Sequence, residues 1–364
     1  MKYYLIAGEA SGDLHGANLM KAILEKDASA EFRFWGGDLM AKVGGTQVEH
    51  YKNTAYMGFL EVLKNLSKIL SFIKICKADI TAWKPDVVVL IDYPGFNMRI
   101  AKFAKNAGFK VVYYISPQVW AWKENRVKQI KQFVDKMLVI LPFEKDFYEK
   151  KWNYQVDFVG HPLLDEINQN DAYTIDLKNE GKPIIALLPG SRIQEINKIL
   201  PEFLKMVPLF PDYHFVLAGL AHNGLDYYKQ LIGDKPVEIV MNKTYSVLNM
   251  SYAALVASGT ATLEAALFDT PMVVGYKGSW LSYKIGKMLV DIKFISLVNL
   301  IMDKEVVKEL IQNDLDEKQL KIELDKILNM SNQYLMREEF KKLKIILGSK
   351  GASERAAEII VALN

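Results

Sequence analysis

Cysteine is almost absent from this sequence. Cys76 stands alone, so no intrachain disulfide can form, which fits a reducing compartment. An excess of one charge is missing too. The formal net charge is +3, from 46 basic and 43 acidic residues, which gives no case for a nucleic-acid partner. No apolar run approaches the roughly 20 residues that span a bilayer, so any membrane contact is expected to be peripheral. The run behind Lys2 stops at Gly8-Glu9, too short for a secretory signal, and reads as a first β-strand. His15, His50, His161, His214 and His222 lack zinc-ligand spacing. There is no Walker A loop, no full dinucleotide fingerprint, no solenoid repeat and no low-complexity tract. Asp314-Leu315-Asp316 has the Asp-x-Asp form of some metal-dependent sugar transferases, but its place among C-terminal helices suits capping better. We expect no bound metal and no cofactor.

What is present is a globular composition, 50% hydrophobic and 24% charged, over 364 residues, enough for two α/β cores. Short apolar runs alternate with helical patterns. Strands are expected at Tyr3–Ala7, Val87–Asp92, Lys110–Ile115 and Met137–Leu141, with helices such as Leu14–Leu24 and Met98–Ala107 between them. Continuous apolar strands are those covered by helices on both faces, so a doubly wound parallel sheet is predicted. The polar stretch Asp165–Lys182 marks a boundary. Beyond it a second α/β pattern has strands at Pro183–Leu188, His214–Ala218, Val237–Met241, Ala253–Ala257 and Pro271–Gly275, and from Asp303 onward the chain reads as helices. The expected organisation is a Rossmann-like domain over 1–164, a second over 165–345, and a tail over 346–364. That tail is expected to return to the first domain or to join a partner in a homodimer. Two such domains imply a cleft, and ligands in open α/β sheets bind beyond the carboxyl ends of the strands.

Those ends carry the candidate chemistry. The first strand runs into Gly8-Glu9-Ala10-Ser11-Gly12-Asp13-Leu14-His15-Gly16, whose glycines allow a ligand close to the backbone. Ser11 or Asp13 equally suits a helix cap, whereas Glu9 precedes the cap. Asp92 ends an apolar strand, where partial burial raises a carboxylate toward general-base use; the alternative is a turn aspartate ahead of Pro94. Asn97 has the same ambiguity. Trp120 and Trp122 offer faces for a sugar or simply core packing, and at most one is assigned to the cleft. Gly190, Ser191 and Arg192 lie where a strand enters a helix, a phosphate-binding arrangement with a planar fork for a diphosphate. Gly259 and Thr260 open another helix, and Glu264 lies one turn beyond Thr260, placed for ribose hydroxyls or for a helix cap.

Taken in order, these segments resemble the lipid-A-disaccharide synthases, bacterial inverting glycosyltransferases of GT-B architecture. The resemblance spans nearly the whole chain. It rests on Gly8–Gly16, Met57–Val62, Ile91–Asn97, Ile115–Trp122, Leu141–Glu144, Val159–Pro162, Leu188–Arg192, Ser258–Glu264 and Ser296–Leu300. It implies transfer of 2,3-diacylglucosamine from UDP to 2,3-diacylglucosamine 1-phosphate, at the cytoplasmic side of the inner membrane. It also implies that Arg192, Glu264 and Asn299 serve the donor, and Glu9 and Asp92 the acceptor side. The family often carries a second acid where this chain has Gly95, so Asp92 stands alone in its motif. A UDP-sugar epimerase of the same architecture and a non-catalytic sugar-lipid carrier are the alternatives.

One segment is read from its periodicity. Phe59–Lys77 is expected to form an amphipathic helix with Phe59, Val62, Leu63, Leu66, Ile69, Leu70, Ile73 and Cys76 inward. Leu60, Phe72 and Ile75 are expected outward among Lys64, Lys68 and Lys74, a mixture suited to an anionic lipid surface.

Overall fold

The computed structural model describes residues 1–54, 66–121, 123–167, 173–278 and 293–363. The chain divides into two compact units: Met1–Ile167 with Leu347–Asn364, and Asn168–Ile346.

The first unit holds β1 (Lys2–Ala7), β2 (Glu31–Gly36), β3 (Thr46–His50), β4 (Val87–Ile91), β5 (Lys110–Tyr114), β6 (Lys136–Val139) and β7 (Asp157–Phe158). They form a parallel sheet in the order β3-β2-β1-β4-β5-β6-β7. Alternate residues face opposite sides. Tyr4, Ile6, Val88 and Leu90 pack beneath the helices Leu66–Trp83 and Pro94–Asn106. Tyr3, Leu5, Val87 and Val89 pack beneath the helix Ala10–Lys26 and the C-terminal helix Ala352–Val361, which contributes Ala356, Ala357 and Ile360. With both faces covered, the central strands read as unbroken apolar runs. Asp165 holds the start of the C-terminal helix. Its carboxylate accepts the amides of Gly351, Ala352 and Ser353 at 2.7, 3.2 and 2.9 Å.

The second unit holds β8 (Ile184–Leu188), β9 (His214–Gly219), β10 (Val237–Met241), β11 (Ala253–Ala257), β12 (Met272–Tyr276) and β13 (Lys308–Ile311). These too are parallel, in the order β10-β9-β8-β11-β12-β13. In each sheet the order reverses beside the first strand, between β1 and β4 and between β8 and β11. Connections leave in opposite directions there and open a crevice at the carboxyl ends.

Three sequence expectations change. The stretch from Asp303 is not all helical, because β13 extends the sheet; Leu310 is its buried residue, so it lacks a long apolar run. The helix Leu66–Trp83 runs past Lys77, and its inward stripe is Ile69, Phe72, Ile73, Cys76 and Ile80. Phe72 meets Trp35 edge-on with ring centroids 6.0 Å apart, instead of facing outward. Leu70, expected inward, falls beyond the stripe and is 53% exposed, while Ile75 is 46% exposed. Third, neither Ser11 nor Asp13 caps the first helix. Glu9 occupies the cap position, and Asp13 reaches away to accept amides of Gly37, Leu39 and Met40 at the next helix, Asp38–Val43. The expected positions Phe59, Leu60, Val62, Leu63 and Lys64, the motif 57–62, and Trp122 lie outside the described residues.

Candidate functional site

In the first unit, the reversal point brings Gly8-Glu9 at the end of β1 beside Asp92 at the end of β4. Gly8 is required by contact: a Cβ there would sit 2.2 Å from the Tyr93 ring. Asp92 and Tyr93 both adopt left-handed backbone, with φ of 43° and 50°. Such residues persist only when their surroundings fix them. Here the Asp92 amide donates to the Tyr114 carbonyl at 3.1 Å, and its own carbonyl accepts from Tyr113 Oη at 2.6 Å and Asn97 Nδ2 at 2.8 Å. Burial, reinforced by the charge of Glu9, pushes the Asp92 carboxyl up to about 7.

Asn97 is fully buried. Its Nδ2 also reaches the Ile91 carbonyl at 3.2 Å and the Ile6 carbonyl at 3.4 Å, so it ties β4 to β1 at the reversal point. Its Oδ1 has no partner among the described residues. Ser11 is exposed on the first turn of its helix. His15 interacts with His161 and Asp165 rather than with Asp92; burial lowers it to about 4 and His161 to about 3. Trp120, after β5, is half-buried and donates its indole N–H to Glu144 Oε1 at 3.2 Å. Glu144 follows β6 and was not singled out from sequence as a site residue. It is 1% exposed, and burial, with Asp92's charge adding, raises its carboxyl to about 7.

In the second unit, a cavity of about 360 Å³ opens at the ends of β8, β9 and β11. Gly190, Ser191, Arg192, Gly259, Thr260 and Glu264 all line it, joined by Glu195 and Thr244, which sequence reading missed. Gly190 has φ 103°, a left-handed turn that suits glycine. Arg192 occupies the cap of the helix Ile193–Phe203 and pairs with Glu195 at 3.2 Å on an exposed surface. Burial raises the Glu264 carboxyl to about 7, opposed by a 3.4 Å bond from Tyr245 Oη. The site therefore combines helix-start amides and one fork-shaped cation with two carboxyls, Glu195 paired to that cation and the largely buried Glu264. That set suits a diphosphate joined to a hydroxylated ring.

Asn299 is not among the cavity's lining residues. It is fully buried, and its amide is spent on Val307 and Glu309 as donor and on the Val306 and Val307 N–H groups as acceptor. It holds the turn before β13. Asp316 caps the helix Glu317–Leu328, accepting from the Gln319 amide at 2.8 Å. Among the described residues, no group of three or more His, Cys, Asp or Glu side chains is placed to hold a metal ion.

The family described as Lipid-A-disaccharide synthetase matches residues 3–363. A lipid-A-disaccharide synthase of Syntrophus aciditrophicus is 40% identical over 373 residues, covering 99% of this chain and 97% of that protein. One from Geobacter metallireducens is 37% identical, covering 99% and 96%. One from Coxiella burnetii is 39% identical, covering 90% and 89%. Solved structures give the fold. The kitacinnamycin glycosyltransferase superposes with a TM-score of 0.68 at 14% identity, covering 99% of this chain and 98% of that one. UDP-bound MnaA of S. aureus superposes at 0.68 and 15%, covering 100% and 97%. The UDP-GlcNAc 2-epimerase of Neisseria meningitidis superposes at 0.67 and 13%, covering both chains fully. A GT-B-like fold thus serves both transferases and epimerases, and the near full-length sequence matches decide between them: the chain belongs to the lipid-A-disaccharide synthase family.

Proposed function

We propose that the first unit takes the acceptor and the second the donor in one inverting transfer. Lipid-A-disaccharide synthase activity, a step of lipid A biosynthesis, follows from family membership. In this reading 2,3-diacylglucosamine leaves UDP and joins 2,3-diacylglucosamine 1-phosphate through a β-1,6 link. Asp92 is the base that removes the acceptor hydroxyl proton. The observation that carries this is its carboxyl, raised to about 7 at the sheet reversal point on a backbone locked by Tyr113 and Asn97. A base of that strength is about half ionised at neutral pH and accepts a proton readily. Glu9 contributes charge and a contact to the acceptor, with Ser11, His15, Asn97 and Trp120 as further binding groups.

On the donor side, Arg192 and the amides around Gly190, Ser191, Gly259 and Thr260 stabilise the charge that grows on departing UDP. Glu264 takes the ribose hydroxyls. Asn299 serves the donor side by holding the turn before β13. No step in this scheme calls for a metal or cofactor.

The substrates carry acyl chains, so the same proposal places the enzyme on the inner leaflet, from the cytoplasm. Among the described residues no helix is long and apolar enough to cross a membrane. Support comes from exposed Leu70 and Ile75, and from a groove of about 600 Å³ in which Leu70, Ile73 and Phe103 adjoin Lys77, Arg99 and Lys102. A homodimer belongs to the proposal as well, supported by exposed Met330, Tyr334 and Ile345 along one face of the helix Met330–Leu347. The deciding assay mixes pure protein with UDP-2,3-diacylglucosamine and follows UDP. Release only when the acceptor phosphate is added, with a β-1,6 disaccharide by mass and NMR, supports the reading. Release without acceptor overturns it.

A further inference from the structure

The ends of β5 and β6 hold a pair of side chains, Trp120 and Glu144, of which only Trp120 has a part in the proposed transfer. Glu144 lies in the first turn of the short helix Pro142–Asp146. Its Oε2 accepts the main-chain N–H groups of Ile140 and Leu141 at 3.2 and 2.9 Å. Those two bonds alone cap the helix. The other oxygen does something a cap does not need: it reaches the loop after β5 and accepts the Trp120 indole N–H at 3.2 Å.

A carboxylate this deeply buried is an expensive cap, because desolvation disfavours its charge. The charge of Asp92 reaches it and disfavours ionisation further. A neutral group would close the same turn. What a carboxylate adds is a stronger, directional hold on the indole. A second contact fixes the ring plane, since Phe143 packs edge-on against Trp120 with centroids 4.9 Å apart and planes at 89°. Both restraints come from one turn, and both act on a residue that stays partly exposed after β5.

We propose that Glu144 is a positioning residue that locks Trp120 as a platform, on which the glucosamine ring of the acceptor stacks beside Asp92. The C–H face of a pyranose matches the electron-rich indole face. A platform held at a fixed angle orients the attacking hydroxyl without an ordering cost at each turnover. This rests on the reading of Glu9 and Asp92 as the acceptor side.

The test compares Trp120→Phe, Glu144→Gln and the double variant in steady state, varying acceptor and donor separately. Phenylalanine keeps a stacking face and removes the N–H. The expected result is an acceptor KM raised ~5-fold in each single variant, with donor KM and kcat within ~2-fold and no further rise in the double variant, since both changes break one bond. An unchanged acceptor KM in Trp120→Phe overturns the proposal, and so does an additive double variant. A fall in kcat at unchanged KM also overturns it. Should Glu144→Gln not fold, Trp120→Phe decides alone, because its ring is not part of the core. Asp92→Asn run alongside separates the two ideas. Normal turnover in that variant passes the role of base to Glu9 on the same side; normal turnover in both Asp92→Asn and Glu9→Gln removes the acceptor-side reading. Inactivity of Asp92→Asn, with acceptor KM unchanged in Trp120→Phe, removes only the platform.

Discussion

The reversal points of the two sheets share a topology and oppose each other in chemistry. Around β1, β4 and β6 the strand ends carry three carboxyl groups, Glu9, Asp92 and Glu144, and burial brings the last two up to about 7. Around β8 and β11 they carry glycine turns, helix-start amides and Arg192, with Glu264 as the one raised acid. In the proposed reading Asp92, backed by Glu9, holds and releases a proton, and the second set holds an anion. An inverting transfer needs both, because a proton leaves the acceptor as negative charge grows on the donor. The parallel sheet supplies the place, and the residues at the strand ends supply the sign.

The comparison breaks most visibly at Asp92. Asp92→Asn is expected to lower kcat by ~100-fold or more while UDP affinity, read by calorimetry, stays at the parent value. Near-normal turnover would move the role of base to Glu9. The same substitution should raise the melting temperature at neutral pH by a few degrees. The sign follows from linkage: the folded pKa of about 7 lies above the unfolded value of an aspartate, so the folded state binds the proton more tightly. Stability from this group is therefore present at low pH and lost as pH rises from about 4 through 7. Asparagine, always neutral, avoids that loss. A melting temperature unchanged at pH 8 would show that the carboxylate is better solvated than its surroundings suggest.

The pH profile sharpens the same contrast. With Asp92 as base, kcat/KM should fall up to tenfold per pH unit below about 7 and level off above it. A rate flat down to pH 5 would exclude it. In the second unit the expected changes are in binding. Arg192→Ala should weaken UDP ~10-fold and leave uridine alone, because its partner is the diphosphate. Glu264→Ala should weaken UDP and uridine by a similar ~5-fold and leave uracil alone, because its partner is the ribose. Calorimetry with the three ligands separates them. If both variants bind UDP like the parent, the donor site lies elsewhere.

How much of this was legible in the sequence follows from burial. The central strands β4, β5, β8 and β11 are covered on both faces, so their apolar runs announce them, and Asp92 and Arg192 are conspicuous where those runs stop. β2, β3 and β13 lie toward sheet edges, alternate or mix polar residues, and carry no such signal. Glu144 was hidden by its own local role: Pro-Phe-Glu reads as the start of a helix, and Glu144 does cap one. Its bond to Trp120 spans 24 positions and cannot be read from spacing. Asn299 is ambiguous for a different reason. A buried asparagine that satisfies backbone groups and one that meets a ligand look alike in a motif. The C-terminal helix belongs to the first unit because Asp165 and the uncovered face of its sheet receive it, a long-range match that local pattern does not encode.

The smallest expected effect concerns the surface of the first unit, and the structure changes which residues to alter. Leu70 and Ile75 project from the helix Leu66–Trp83, while Phe72, two residues past Leu70, packs into the core against Trp35. Leu70 lies in the groove with Lys77, Arg99 and Lys102, and Ile75 is exposed on the same helix, a set that suits an anionic bilayer, where each contact adds modestly to binding. Replacing Leu70 and Ile75 together with serine should therefore weaken binding to vesicles of mixed anionic and neutral phospholipid by ~3- to 10-fold, from the apolar area lost. UDP affinity and melting temperature should stay at the parent values, because neither side chain is buried. Phe72→Ser is the internal control. It opens a space beneath Trp35, so it should lower the melting temperature by several degrees. Parent-like vesicle binding in the double variant would mean that the membrane meets the enzyme through some other surface. A double variant that melts as early as Phe72→Ser would mean that Leu70 and Ile75 are packed against protein in solution, as a second copy of the chain would pack them.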